Sequence, residues 1–403
     1  VSKKRLSFKL PAYSNRAIFL AALALTIFGS IMIVSAEMGS DAGDISAVIV
    51  ALIRQLLFSF VAILAMIFFS RFNLFSLSKH FNMDVLMKLG YIGVAILLLS
   101  TRLFGSLGGA YGWIRLGPVS IQPSEIAKLY LIIMYSYFLS RDISVSTNRS
   151  IFKKMIIYGL LYVIIIVVYQ SDFGSGIVLF GMGYVMLMVS NLEGCKKYRN
   201  RMFILFILGV GLAIYLLTPA GTSFLEKIAG DDYRIKRFLA SANPFSDPYG
   251  SGYHLIMSLV SFATGGWFGL GIGKSVHKFM NFPNPSSDFI LPVIVEELGV
   301  IKGLLPILIG YGIILFNLSH QSLKTHSPRA RLVYVGTFMY FILHFLLNVG
   351  GVSGLIPLTG VPLLLISAGG TSLACCLSAI GIAQAEIVRC RKEKEIYGSD
   401  YSG

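Results

Sequence analysis

Ten apolar stretches recur along this chain, at about 17–36, 48–70, 89–103, 123–140, 154–169, 174–191, 202–218, 299–318, 332–350 and 360–388. A helix rises 1.5 Å per residue, so most of these runs are long enough to cross a hydrocarbon layer about 30 Å thick. In lipid a backbone must satisfy its own hydrogen bonds, which within a single run only a helix does. The pattern therefore predicts an all-α polytopic membrane protein with about ten transmembrane helices. Composition closes off the soluble alternative: of 403 residues, 55% are hydrophobic and 13% charged, about half the charged share of an average soluble domain.

The formal charge of +15 would suggest nucleic-acid binding in a soluble chain. Here the cations lie mainly in short connections between apolar runs, where their role is topological and no nucleic-acid partner is expected. With the N-terminus inside, the cytoplasmic connections hold 23 of the 34 Lys and Arg, from Lys3 to Arg16 at one end to Arg389 to Lys394 at the other. Glu37, Asp41 and Asp44 mark an outer loop without a basic residue. Both termini are thus expected in the cytoplasm. The first apolar run has a basic flank like a signal peptide, but it lacks a small-x-small cleavage site and is expected to stay attached. Cys195, Cys375, Cys376 and Cys390 show no metal spacing and no disulfide framework.

The chain reads as one membrane domain, 1–403, with a large extracytoplasmic loop between the seventh and eighth spans. That connection, 219–298, is far longer than an ordinary loop. Its aromatics Trp267, Phe268, Phe279, Phe282 and Phe289 alternate with glycines and prolines, so it is expected to be a folded cap.

Polar residues gather in a few clusters. In Gly109–Lys128 (G-A-Y-G-W-I-R-L-G-P-V-S-I-Q-P-S-E-I-A-K), Pro123 and Glu125 suit a helix start. Glu125 and Lys128 share a helix face within an apolar layer, either as an internal ion pair or, with Lys128 or Arg115, as an anion site. Asp172, in Q-S-D-F-G-S-G, is either a helix cap or a functional carboxylate. Within the cap stand the cations Arg234 and Lys236, then N-P-F-S-D-P-Y-G-S-G-Y-H ending at His254, then G-G-W-F-G-L-G-I-G-K-S with Lys274. Those alternating glycines do not fit a nucleotide phosphate loop, which needs four residues between its glycines. Asp288 precedes an apolar stretch that reaches Glu296 and Glu297, about 12 Å along a helix axis, too far for a carboxylate pair. A mechanism with one base fits better. Finally, Asn348 to Ser372 places Pro357 and Pro362 around Thr359 and Gly360, with Ser367 and glycines interrupting an apolar run. Irregular backbone there has to be buried in protein or line a wet cavity.

Taken in order over about 360 residues, these clusters make the chain resemble the SEDS family of bacterial cell-shape, elongation, division and sporulation proteins, the FtsW, RodA and SpoVE group. The N-P-F-S-D-P-Y-G-S-G-Y stretch leans toward the division or sporulation branch. The resemblance implies a ten-span peptidoglycan glycosyltransferase that polymerises lipid II outside the cytoplasmic membrane. It further implies a class B penicillin-binding protein as transpeptidase partner, alongside other divisome or elongasome proteins. The family's loop acid matches Asp288, and its Gln-Pro-Ser-Glu and Lys positions match Gln122, Pro123, Ser124, Glu125 and Lys128. Three departures stand out: Ser286 and Ser287 where the family has His-Thr, His254 where it has Gln, and Ala368 after Ser367 where it has Tyr.

A lipid-linked sugar donor sets the chemistry: a base to deprotonate the acceptor hydroxyl, and positive charge for the departing diphosphate. Asp288 is the base expected for a direct, inverting transfer. The residues expected to bind substrate are Arg115, Glu125, Lys128, Asp172, Arg234, Lys236, His254, Lys274 and Ser367; a divalent cation, Mg or Mn, is another source of charge. A lipid flippase would explain the polar spans and broken last helix but not the cap. A noncatalytic scaffold for cell-wall enzymes is the third reading.

Overall fold

The computed structural model describes residues 11–40, 45–72, 81–106, 110–117, 119–141, 143–216, 218, 220–223, 225, 244–250, 252–280 and 284–398. The chain is an all-α, multi-pass membrane protein. In order its main elements are α1 (Arg16–Ser40), α2 (Ile45–Arg71), α3 (Met83–Ser100), a hairpin of β1 (Ile114–Leu116) and β2 (Val119–Ile121), α4 (Pro123–Phe138), α5 (Val145–Ile164), α6 (Phe173–Val189) and α7 (Lys196–Leu216). There follow α8 (Tyr253–Gly265), α9 (Ile290–Gly299), α10 (Leu305–Lys324), α11 (Pro328–Val352) and α12 (Gly370–Gly398). Among the described residues, eight helical stretches are long and apolar enough to cross a membrane, with α9 and α10 forming one of them.

Local rules explain many of the ends. Asn82 accepts from the amides of Asp84 and Val85 to cap α3, Ser144 caps α5, Asp172 caps α6 and Ser327 caps α11. Pro123 and Pro328 occupy first helical turns, where a missing N–H costs nothing. Helices α4 and α9 bury most of their residues, as does the apolar part of α12; α7, by contrast, buries none of its 21 residues and turns apolar side chains outward all round. Lipid gives no hydrophobic drive to helix pairing, so close approach matters more. At Gly381 a Cβ would lie 2.5 Å from the Met66 carbonyl oxygen, which is how α12 can lie against α2.

Two expected boundaries are corrected. The eighth apolar run, expected to begin at 299, is preceded by helix from Ile290, and the two parts meet at Gly299 (φ 72°, ψ −176°). The last run, expected to be helical from 360, is helical only from Gly370. Residues 363–366 are apolar and buried but irregular, because Gly360 (φ 68°) and the flanking prolines do not continue a helix. The hairpin at 114–121 and helix α8 were not anticipated.

Helix α9 lies across the bundle. One end is tied to Ser35, nineteen residues after Arg16, and the other to Asn348, twenty after Pro328, each about 30 Å from the start of its own helix. The two ends of α9 therefore sit at one level, with the hairpin, the start of α4 and the start of α6 at the same end of the molecule. At the opposite end, Arg329 and Arg389 pair with Glu386 at 3.2 and 2.7 Å, and Asn15 and Gln384 exchange hydrogen bonds of 2.8 Å.

Candidate functional site

The loop before α9 is held by its backbone. Three successive carbonyls each accept a hydrogen bond: Ser286 from the Ala368 amide, Ser287 from the Ser367 hydroxyl, both at 2.8 Å, and Asp288 from Asn348 Nδ2 at 2.9 Å. On the other side the Ser286 hydroxyl donates to Glu37 at 2.7 Å. The loop is thereby fixed to α1, α11 and the irregular 353–369 segment, and the Asp288 carboxylate accepts the Ser287 hydroxyl at 3.0 Å. Asp288 is half-buried at the rim of a shallow, open pocket of about 240 Å³ counted with the solvent at its mouth. Phe289, Asn348, Val352, Leu358 and Thr359 are among its other walls. Gly360 forms part of the rim: a Cβ there would have Asp288 Oδ2 as its nearest neighbour, at 3.5 Å.

A buried charged cluster lies deeper, between α4, α6 and α11. Lys128 Nζ is 2.6 Å from Glu125 Oε1, and both side chains are wholly buried. Ser175 at 3.4 Å and His344 Nε2 at 3.1 Å complete the ammonium's surroundings, while the Tyr340 hydroxyl donates to Glu125 Oε2. Above it, Gln122 joins the cap of α6: its Nε2 donates to Asp172 Oδ2 at 3.3 Å, while Asp172 Oδ1 accepts the Ser175 amide at 2.9 Å. The Glu125–Lys128 proximity expected from their spacing is thus present as an internal ion pair, and Asp172 is a helix cap. The spacing gave no sign of Tyr340 and His344, although a tyrosine and a histidine four residues apart in an apolar helix were a visible clue.

A second buried pair secures the segment before α9. Lys278 Nζ contacts Glu297 Oε1 at 2.7 Å and the Ser35 carbonyl at 2.9 Å, and the Ser35 hydroxyl donates to both Glu297 oxygens. Glu296 accepts from Ser275 at 2.6 Å and the Val276 amide at 3.0 Å, and His277 Nδ1 lies 2.8 Å away. At the Gly299 break the free backbone groups pair with the G-G-W-F-G-L-G turn: Leu270 and Gly271 donate to the carbonyls of Glu296 and Glu297, and Val300 and Ile301 donate to those of Gly266 and Trp267. Glu296 and Glu297 are therefore structural clamps here; Lys278, His277 and Ser35 were missed because their partners are remote in sequence.

The other expected residues divide. Ser367 belongs to the Asp288 cradle, and its hydroxyl also accepts the Leu363 amide at 2.8 Å. His254 lies on α8 with its ring 6.1 Å from that of Phe289. Arg115 is exposed on β1 and donates to the Ser106 carbonyl, and Lys274 is exposed. Arg234 and Lys236 lie outside the described residues. Among the described residues, no three His, Cys, Asp or Glu side chains come together as metal ligands. The four cysteines are unpaired with one another.

The family model FTSW_RODA_SPOVE, described as cell cycle protein, matches residues 15–392. Stage V sporulation protein E of Bacillus subtilis is 32% identical over 334 residues, covering 82% of this chain and 84% of that protein. Probable peptidoglycan glycosyltransferase FtsW of the same organism is 33% identical over 301 residues, covering 73% and 71%. In fold, the chain matches one from the structure "Structural coordination of polymerization and crosslinking by a peptidoglycan synthase complex", with a TM-score of 0.70, 21% identity and coverage of 97% and 99%. It also matches Rod shape determining protein RodA of Thermus thermophilus, with a TM-score of 0.58, 23% identity and coverage of 93% and 97%.

Proposed function

We infer the function from one premise: the chain belongs to the FtsW, RodA and SpoVE family of cell cycle proteins. It is a peptidoglycan glycosyltransferase, the activity for which its FtsW relatives are named, and it polymerises lipid II into glycan strands. Asp288 is the general base: it takes the proton of the acceptor hydroxyl as that oxygen attacks the anomeric carbon of the donor. The bond to the diphosphate breaks in the same step, inverting the centre without a covalent enzyme intermediate. What carries this reading is the Asp288 loop itself, whose backbone is clamped at three successive carbonyls while its carboxylate stands at a pocket rim. Positioned catalysis needs such a fixed carboxylate.

Arg115, Lys274, Arg234 and Lys236 are the proposed partners of the departing diphosphate, and His254 borders the donor or acceptor next to Phe289. Glu125, Lys128 and Asp172 act on substrate through the bundle they hold together, and Ser367 through the Asp288 loop. Ten spans follow if α4 and α6 are added to the eight longer stretches; at 16 and 17 residues they cover about 25 Å. The end with Asp288 then faces outward, 219–298 forms the extracytoplasmic cap, and both termini are cytoplasmic, in keeping with the cations at the opposite end. The proposed partner is a class B penicillin-binding protein supplying crosslinking.

The test is glycan-strand formation by purified protein with lipid II and the partner whose transpeptidase is blocked. Asp288→Asn keeps the side-chain size and should insert and bind the partner normally, with turnover reduced about 100- to 10,000-fold. Asp288→Glu should recover little, since one methylene displaces the base by about an ångström. Near-wild-type product from a folded Asp288→Asn protein rules this assignment out. Lipid movement without polymer by the wild type would instead point to a flippase.

A further inference from the structure

The pocket beside Asp288 contains two buried polar atoms that have no hydrogen-bond partner among the described residues. Asn348 is 3% exposed, and its Nδ2 donates to the carbonyls of Asp288 and Val361 at 2.9 and 2.8 Å. Both partners are acceptors, so the amide has one orientation and presents Oδ1 as an acceptor. Asn348 Oδ1 is buried and makes no hydrogen bond. The same holds for Thr359 Oγ1, and both residues line the pocket together with Asp288. Leaving a buried polar group unpaired is costly, so two of them in one pocket that Asp288 also lines point to a ligand that completes their hydrogen bonds. The remaining walls include Phe289, Leu347, Val352 and Leu358, which are apolar. Apolar walls with a few convergent polar groups are the usual make-up of a small-ligand site.

We propose that Asn348 Oδ1 and Thr359 Oγ1 form the hydroxyl-recognising subsite for the acceptor sugar, binding hydroxyl or amide N–H groups adjacent to the one that Asp288 deprotonates. The inference rests on the glycosyltransferase reading and deepens it. Asn348 offers only an acceptor, whereas the threonine hydroxyl accepts and donates, so the pair selects a ring with neighbouring donors over a purely apolar lipid chain. The backbone at Gly360 keeps the approach open: with φ at 68° and no side chain, it passes Asp288 Oδ2 without covering it. Asn348 serves both purposes, since the amide that offers Oδ1 also fixes the carbonyl of Asp288.

Thr359→Val is the informative change, because it removes a hydroxyl without taking away any hydrogen bond within the protein and nearly preserves shape. If the hydroxyl served only the fold, the variant would lose stability and retain its kinetics. As a substrate contact, its loss leaves thermal stability equal or higher and lowers kcat/KM for lipid II polymerisation about 5- to 50-fold, with Thr359→Ser recovering most of the loss. Unchanged kcat and KM in a folded Thr359→Val protein overturn the proposal, as expected if the pocket holds only a structural water. A second measurement separates the subsite from the reaction: saturation-transfer NMR with an N-acetylglucosamine disaccharide and the purified full chain. A signal with the wild type that weakens in Thr359→Val supports the subsite even if no polymer forms, in which case the glycosyltransferase reading alone fails. No signal with the wild type, or equal signals in both, overturns the subsite.

Discussion

Replacing Lys128 with Met isolates a carboxylate inside the bundle, and the structure gives the scale of the damage. Lys128 Nζ and Glu125 Oε1 are 2.6 Å apart with both side chains 0% exposed. At an effective dielectric of about 20 their attraction is about 6 kcal/mol, before the cost of desolvating both ions. Breaking such a pair by removing one partner typically costs about 3–5 kcal/mol, because the other charge is stranded. Among the described residues, Glu125 would retain the Tyr340 hydroxyl and His344, 4.0 Å away. With an unfolding entropy of about 2.1 cal/mol/K per residue, a 403-residue chain loses about 4–6 °C in Tm; a helical, membrane-inserted unfolded state has a smaller entropy change and makes the shift larger. Thermal unfolding in detergent, followed by size-exclusion of the folded fraction, reads it directly. Glu125→Gln combined with Lys128→Met removes both charges, so the double variant should recover most of the loss. A Lys128→Met protein with wild-type Tm and polymerisation, or a double variant no better than the single one, refutes the argument.

The pair that fixes the segment before α9 should behave differently, because it joins a loop to the bundle. Glu297→Gln strands Lys278 beside Ser35, and hydrogen exchange of residues 266–280 should rise at least tenfold; unchanged exchange would show that the backbone pairing at Gly299 holds the segment by itself. For topology, single cysteines in a background lacking the native four should be labelled from outside at Asp247 and not at Ser146 or Thr325. Labelling at either of the last two inverts the proposed orientation.

The features visible in the sequence were those set by near neighbours. Pro123 after Gln122 marks the start of α4, Asp172 caps α6 three residues before Ser175, and Glu125 meets Lys128 one helical turn away. What escaped was decided by contacts across the chain. Lys278 finds Ser35 at a separation of 243 residues, and no local pattern encodes that meeting. The start of the last helix was misjudged for another reason: hydropathy reports burial, and residues 363–366 are buried as irregular chain. Asn348 and Thr359 were seen as members of a polar cluster, yet their unpaired atoms emerge only when neighbours are in place.

One face of α11 joins the two halves of this site. Tyr340, His344 and Asn348 follow at four-residue intervals, about 6 Å apart along the axis. Tyr340 holds Glu125; His344 contacts Lys128 through one ring nitrogen and the Pro362 carbonyl through the other; Asn348 holds the carbonyls of Val361 and Asp288. Two consecutive carbonyls of the irregular segment are thereby fastened to the same helix that carries the buried ion pair. Irregular backbone at membrane depth survives only when its polar groups are satisfied by protein, and this stripe meets that condition for Val361 and Pro362. The charges on α4 thus have a structural reason to be there: through His344 they orient the face that sets the carbonyl of Asp288 and leaves its carboxylate at the pocket rim.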